Sequence, residues 1–140
     1  MNKINRKLEY ALMALKFMST RNPGELSSAN EISSHLSTPY DVTARVMQSL
    51  ANGGLLKVEY GAGGGYLIHK DLSRVTLLDL IEILEGPTKI ARCLQKAEGC
   101  DIQDSCNIMT PMNQLNKKLN HFYQSISLKE LLETGRKSMN

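Results

Sequence analysis

The sequence predicts a mostly α-helical chain with one small β-hairpin, on three observations. Apolar residues recur at helical spacing in several separate stretches. Ser/Thr-x-x-Asp/Glu boxes at Ser28, Thr38, Thr76 and Ser127 mark helix starts, each offering a side-chain acceptor for orphan N–H groups of the first turn. Between them, two short runs of alternating polarity flank the glycine-rich stretch Gly61-Ala62-Gly63-Gly64-Gly65. The chain has no tryptophan and only five tyrosines and two phenylalanines, so aliphatic packing has to supply the core.

The first helix is expected from Ile4, Leu8, Ala11, Leu12 and Leu15, with Tyr10, Met13, Phe17 and Met18 adding apolar surface on other faces. A helix so clothed should be sandwiched between others. Asn22-Pro23-Gly24 breaks the chain, and the Ser28 to Glu31 box opens a short second helix with Ala29, Ile32 and Leu36 inward. Ser37-Thr38-Pro39 makes a turn. Thr38 to Asp41 then reads as a second box, with proline at the first helical position, where its missing N–H costs nothing. In this third helix Val42, Val46 and Leu50 form the inward stripe, which leaves Tyr40, Asp41, Thr43, Ala44, Arg45 and Gln48 outside before Gly53-Gly54 ends it.

Two short helices joined by such a turn read as helix-turn-helix. Leu56, Val58 and Tyr60 alternate with Lys57 and Glu59, and a second alternating run returns from Tyr66 to His69, so a glycine-tipped hairpin follows directly. That order is the winged helix-turn-helix, in which the second helix enters the major groove of double-stranded DNA and the hairpin lies along the backbone or minor groove. The candidate DNA contacts are Tyr40, Asp41, Thr43 and Ala44 at base edges and Arg45 and Gln48 nearer phosphates. Ser28 and Thr38 are candidates at the helix starts, and Tyr60, Gly61, Gly63 and Gly64 on the wing.

A fourth helix opens at the Thr76 to Asp79 box, carries Leu77, Leu80, Ile81 and Leu84, and stops at Gly86-Pro87. A last long helix is expected from Thr110-Pro111. Its Met112, Leu115, Leu119, Phe122 and Ile126 recur near a spacing of 3.5 residues, which suits a homodimer seam. Ser127 caps a final short helix, and Gly135 to Asn140 reads as a frayed tail. The chain thus divides into a winged helix-turn-helix at 1–86, a cysteine loop at 87–109 and a dimerisation helix with tail at 110–140.

Charge agrees with a nucleic-acid partner at the N-terminal end. The net charge is +3, with eight Lys and Arg against five Asp and Glu up to residue 70 and nine of each beyond it. Glu9 and Lys16 interrupt the apolar residues near the start, unlike the core of a secretion signal, and no stretch reaches bilayer-spanning length, so a cytoplasmic protein without membrane contact is expected.

All three cysteines, Cys93, Cys100 and Cys106, fall within fourteen residues, among Gly99, Asp101 and Asp104. Such a polar loop of soft ligands is of the kind that binds an iron–sulfur cluster, and an odd count in a reducing compartment argues against a disulfide framework. Direct thiol oxidation is the competing use of the same residues. The intervals of six and five residues do not match paired Cys-x-x-Cys zinc spacing, although His121 would complete four ligands. The glycine run matches neither GxGxxG nor GxxxxGK[ST] and precedes a strand, which excludes a phosphate loop. His35, His69 and His121 stand beside no nucleophile motif, so no enzyme is expected.

Together these stretches resemble the IscR/NsrR-like family of cytoplasmic, dimeric winged-helix transcription regulators, over nearly the whole chain. The resemblance is carried by Glu9-Tyr10-Ala11-Leu12, by Gly54-Leu55-Leu56 leading to Gly63-Gly64-Gly65-Tyr66, by Thr76-Leu77-Leu78-Asp79-Leu80-Ile81-Glu82 with Glu85-Gly86, and by the cysteines. It implies a [2Fe–2S] or [4Fe–4S] cluster on Cys93, Cys100 and Cys106 plus one non-cysteine ligand, and binding to a palindromic operator that changes with cluster state. In the nitric-oxide-sensing members an aspartate of the first helix, just before the residue matching Tyr10, reaches the cluster of the other subunit; Glu9 fills that position here. This chain departs in having six residues between Cys93 and Cys100 where five are usual, Asn107-Ile108-Met109 where IscR-like members place a histidine, and Tyr60 where many carry arginine. The expectation is a repressor whose cluster senses nitric oxide, redox stress or iron–sulfur supply, with a cluster-free thiol switch or an iron–sulfur electron carrier as alternatives.

Overall fold

A computed structural model of the chain describes residues 5–87 and 102–138. Helix α1 (Arg6–Ser19) starts at Asn5, whose side chain accepts from the Leu8 N–H at 3.0 Å. Its buried face is Leu8, Ala11, Ala14, Leu15 and Met18. That stripe is turned slightly from the expected one: Leu12 is only half-buried, Met13 is exposed, and Ile4 lies outside the described residues. The small Ala11 and Ala14 let neighbouring helices approach closely, and close approach decides the face more than side-chain size does.

Helix α2 (Ala29–Leu36) is capped by the Ser28 hydroxyl, which accepts from Glu31 N–H at 3.0 Å. Only that half of the expected box forms. The Glu31 carboxylate is drawn to Arg21, 2.7 Å away, because a charged partner outcompetes a backbone amide. After Ser37, in the left-handed region at φ +57°, helix α3 (Tyr40–Asn52) begins. Here the second expected box is corrected: Pro39 itself is the N-cap and no side chain caps the helix. The Thr38 hydroxyl instead pairs with that of Thr43 at 2.7 Å, and Thr43 donates to the Pro39 carbonyl at 2.8 Å.

Strands β1 (Leu56–Glu59) and β2 (Gly65–Ile68) form the hairpin, in antiparallel register with Leu56 opposite Ile68 and Glu59 opposite Gly65. A third short piece joins it. Ser27 N–H donates to Tyr66 O at 3.1 Å and Tyr66 N–H to Ser27 O at 2.8 Å, which ties the segment before α2 to the wing. A 3₁₀ turn at Leu72–Arg74 leads to α4 (Leu77–Glu85), where the expected box is complete: Asp79 N–H donates to Thr76 Oγ1 at 3.1 Å and Thr76 N–H to Asp79 Oδ2 at 3.0 Å.

A further 3₁₀ turn at Gln103–Ser105 precedes α5 (Met109–Gln124) and α6 (Leu128–Ser138). Helix α5 starts one residue before the expected Thr110-Pro111. Proline is tolerated within its first turn because those N–H groups have no intrahelical acceptor. Helix α6 runs through Gly135 to Ser138, where a frayed tail was expected. The turn between α5 and α6 pairs with the entry to α4: Leu77 N–H donates to Ile126 O and Leu128 N–H to Val75 O, both at 2.8 Å.

The core lies where α1, α2, α3, β1 and α4 meet, with Leu15, Ile32, Met47, Leu50, Leu55 and Leu80 fully buried, and Leu128 of α6 joins it. Each such side chain contributes about 1.5–3 kcal/mol by leaving water. Helix α5 differs. None of its residues is buried, and Leu115 and Phe122 of its apolar stripe are 43% and 58% exposed.

Candidate nucleic-acid interface and cysteine loop

Helix α3 packs on the other helices through Thr43, Val46, Met47 and Leu50. Opposite them Asp41, Arg45, Gln48 and Asn52, four, seven and eleven residues along from Asp41, form an exposed stripe, flanked by Tyr40 at 53% exposure and half-buried Ala44. These are the groups that α3 offers to a groove. Thr43 is not among them. At 2% exposure it is buried, which corrects the expectation that it stands on the outer face. Its hydroxyl is spent on Thr38 and Pro39, so it shapes the turn before α3. Thr38 and Ser28 are likewise engaged, Thr38 with Thr43 and Ser28 with the Glu31 amide.

On the wing Tyr60 is 92% exposed, and Gly61, Ala62 and Gly63 are exposed beside it. The tip is closed by Gly64 N–H donating to Gly61 O at 3.0 Å, and a Cβ at Gly64 would lie 2.2 Å from Glu59 O, so only glycine fits this turn. Lys57 and Glu59 pair across 3.7 Å on the β1 face. Tyr66 is half-buried at the wing's root, where burial raises its phenol above the ordinary value.

Arg21, just after α1, holds the helix-turn-helix together in a way the sequence reading missed. Its guanidinium meets Glu25 at 2.5 Å, Glu31 at 2.7 Å and Ser27 Oγ at 3.2 Å, and sits 5.3 Å from the Phe17 ring centroid. The hydrogen bonds with Glu25 and Glu31 raise the Arg21 value further, and that with Arg21 lowers the Glu25 carboxyl. The available signal was the spacing of Arg21 from Glu25, four residues on.

Cys106 is half-buried, with a free thiol, between the Gln103–Ser105 turn and α5. Cys93, Cys100 and Asp101 lie outside the described residues. Among the described residues no three ligating side chains converge on a metal position. Glu9 is on α1 with its carboxylate 3.0 Å from the Arg6 guanidinium and 42% of its side chain exposed. His121 and Asp104 are exposed. As a donor set, three cysteines with a carboxylate suit cluster iron and would leave one position labile.

The family model described as Rrf2, iron-dependent transcriptional regulator, matches residues 4–134. The IscR regulator of Xenorhabdus nematophila is 26% identical over 131 residues, which cover 94% of this chain and 79% of that one. Among solved structures, CymR, the global cysteine regulator of B. subtilis, superposes with a TM-score of 0.70 at 22% identity, covering 95% of this chain and 98% of that one. The IscR of T. potens does so with a TM-score of 0.69 at 20% identity, covering 99% and 91%. These two likenesses establish the winged-helix fold.

Proposed function

We propose, for a chain that belongs to the Rrf2 family of transcriptional regulators and is not an enzyme, that two copies bind a palindromic operator through α3 and the wing. In this reading Tyr40, Asp41 and Ala44 reach base edges, Arg45 and Gln48 reach backbone phosphates, and Tyr60 with Gly61, Gly63 and Gly64 lies along the minor groove or backbone. The observation that carries it is the exposed Asp41, Arg45, Gln48 and Asn52 stripe beside a glycine-tipped hairpin whose tyrosine is almost wholly in solvent. The open apolar stripe of α5 supports a homodimer.

The signal is read by an iron–sulfur cluster on Cys93, Cys100 and Cys106, with Glu9 of the other subunit as fourth ligand. The cluster supplies a redox- and nitric-oxide-reactive centre; the protein supplies thiolates and one oxygen donor that a small molecule displaces more readily than sulfur. Repression in the cytoplasm follows from the same reading. Among the described residues no helix is long and apolar enough to cross a membrane.

Anaerobic purification tests this directly. Coloured protein holding iron and sulfide, whose operator affinity changes when nitric oxide or oxygen is added, is the expected result. Colourless, iron-free protein whose operator binding responds to a mild thiol oxidant would transfer the function to a cysteine switch. The likeness to CymR, named as a cysteine regulator, and the free Cys106 thiol make that the second reading.

A further inference from the structure

Two of the concavities among the described residues flank α3. The larger, about 710 Å³, lies between the end of α3, the wing's base and α4, and mixes Lys70 and Arg74 with Asp71, Asp79 and Glu82. Its two cations stand among three carboxylates, and so mixed a lining selects no class of ion. The smaller, about 300 Å³, lies between α1, α3 and α4 and is of another character. Lys7 and Arg45 line it together with Gln48, Ser49 and Asn52, over a floor that includes Val46 and Leu84, and no carboxylate does. Neither cation has an ion-pair partner among the described residues. Of the carboxylates adjoining it in sequence, Glu9 pairs with Arg6 and Glu85 accepts from the Asn5 amide, while Asp41 shares the exposed stripe of α3 with Arg45 but neither lines the pocket nor pairs with a cation among the described residues.

We infer that this pocket seats one backbone phosphate of the bound duplex, so that Lys7 of α1, and not α3 and the wing alone, grips DNA. The inference rests on the proposed reading of DNA by α3. A helix with its side chains is about 10–12 Å across and the major groove about 12 Å wide, so the phosphates at the groove's edge come against whatever flanks the helix. On the α1 and α4 side of α3, that flank is this pocket. A phosphodiester brings anionic oxygens and no donor, which matches an ammonium and a guanidinium with a hydroxyl and two side-chain amides. Seated there it fixes the register of α3 without reading any base.

The test is a salt titration of DNA binding by wild-type protein, Lys7→Gln and Ser49→Ala, followed by fluorescence anisotropy on a promoter fragment the wild type protects and on a duplex of scrambled sequence. Lys7→Gln should weaken both duplexes equally, by about tenfold per seat and so about a hundredfold if two protomers bind, the loss of one charge-assisted contact in each. The slope of log affinity against log salt should fall by about 0.9 per seat, so by about 1.8 if two protomers bind. Ser49→Ala should weaken binding with an unchanged slope. Lys7 is exposed, so the thermal midpoint should not move, and a folding defect is thereby separated. An unchanged slope in Lys7→Gln overturns the inference while leaving DNA reading by α3 intact. Absence of DNA binding in the wild type overturns the reading itself. Inorganic phosphate that binds in a Lys7-dependent way without displacing the duplex would make the pocket a seat for a free anion, and also overturns the assignment.

Discussion

Replacing Thr43 distinguishes a residue that reads DNA from one that builds the reader. The side chain is 2% exposed, and its hydroxyl lies 2.7 Å from that of Thr38 and 2.8 Å from the Pro39 carbonyl. Thr43→Val keeps the shape and deletes both bonds. The Pro39 carbonyl retains the Thr43 N–H at 3.0 Å, and half-buried Thr38 can turn to water, so the loss is close to one net hydrogen bond, about 1 kcal/mol. Thr43→Ala also removes a buried methyl and leaves a small void, for a total of about 2 kcal/mol. In urea unfolding both variants should lower the midpoint without changing the slope, and a Thr38→Ala, Thr43→Val cycle should show coupling of about 1 kcal/mol. Base preference, measured on a panel of single-substituted operators, should stay as in the wild type even where affinity drops. A Thr43→Val protein with wild-type stability and altered base preference would refute this and return the side chain to the groove.

Three further outcomes follow from the same geometry. Gly65→Ala would put a Cβ 2.8 Å from the Ser27 carbonyl, part of the backbone, and should break the Ser27–Tyr66 pairing at about 1–3 kcal/mol, seen as loss of amide protection at both residues. Thr76→Ala removes the acceptor of the complete box on α4 and should cost about 1 kcal/mol, a fall of roughly 2–4 °C in Tm, with hydrogen exchange rising at Asp79. Because Arg21 holds the Glu25 carboxyl below its ordinary value of 4.5, the pair stabilises the fold above that pH and the benefit disappears as pH falls through the lowered value; Glu25→Gln should therefore flatten the acid limb of the stability profile, and identical acid limbs would rule the pair out.

What the sequence made legible was whatever depends on a few consecutive residues. The helix starts at Ser28 and Thr76, the glycine stop after α3 and the glycine-tipped hairpin come from local chemistry, and each is found. The misreadings come from competition that local patterns do not contain. Glu31 fits a box by spacing, but Arg21 takes its carboxylate. Asp41 fits one too, yet Thr38 turns to Thr43, since a buried hydroxyl needs a partner more than an exposed amide does. Thr43 was assigned outward because the inward stripe was drawn through Val42, Val46 and Leu50; the packing rotates it toward Met47, and a threonine with its hydroxyl satisfied locally enters the core. Arg45 and Gln48 do emerge as exposed, because the helical period that places them is not contested by any neighbour, whereas Tyr60, which alternates with Leu56 and Val58, is exposed because β1 ends at Glu59. The Ser27–Tyr66 and Thr76–Ser127 pairings could not be read at all, being single bridges between distant segments without a strand pattern.

The second of those bridges bears on how a signal in residues 87–109 would reach DNA. Helix α5 exposes its own apolar stripe, yet its C-terminal turn is pinned: Ile126 and Leu128 pair with Leu77 and Val75, and Leu128 is fully buried in the core that α3 and α4 share. The cysteine-bearing segment therefore connects two elements that are each anchored to the same body. Helix α4 is held at its start by the Thr76 box and near its end by the Asn5–Glu85 contact to α1; α5 is held at its far end by the bridge. Besides α1 of a second copy, through Glu9, a ligand that draws Cys93, Cys100 and Cys106 together would act on the two helix ends that flank the loop, the last turn of α4 and the first turn of α5. The first adjoins Leu84, which lies in the floor of the Lys7 and Arg45 pocket, and the second begins the apolar stripe proposed to face a second copy. Ligation of the loop would accordingly be felt at the grip on DNA and at the spacing of the two reading helices through the ends of two rigid helices, with no change required in the core.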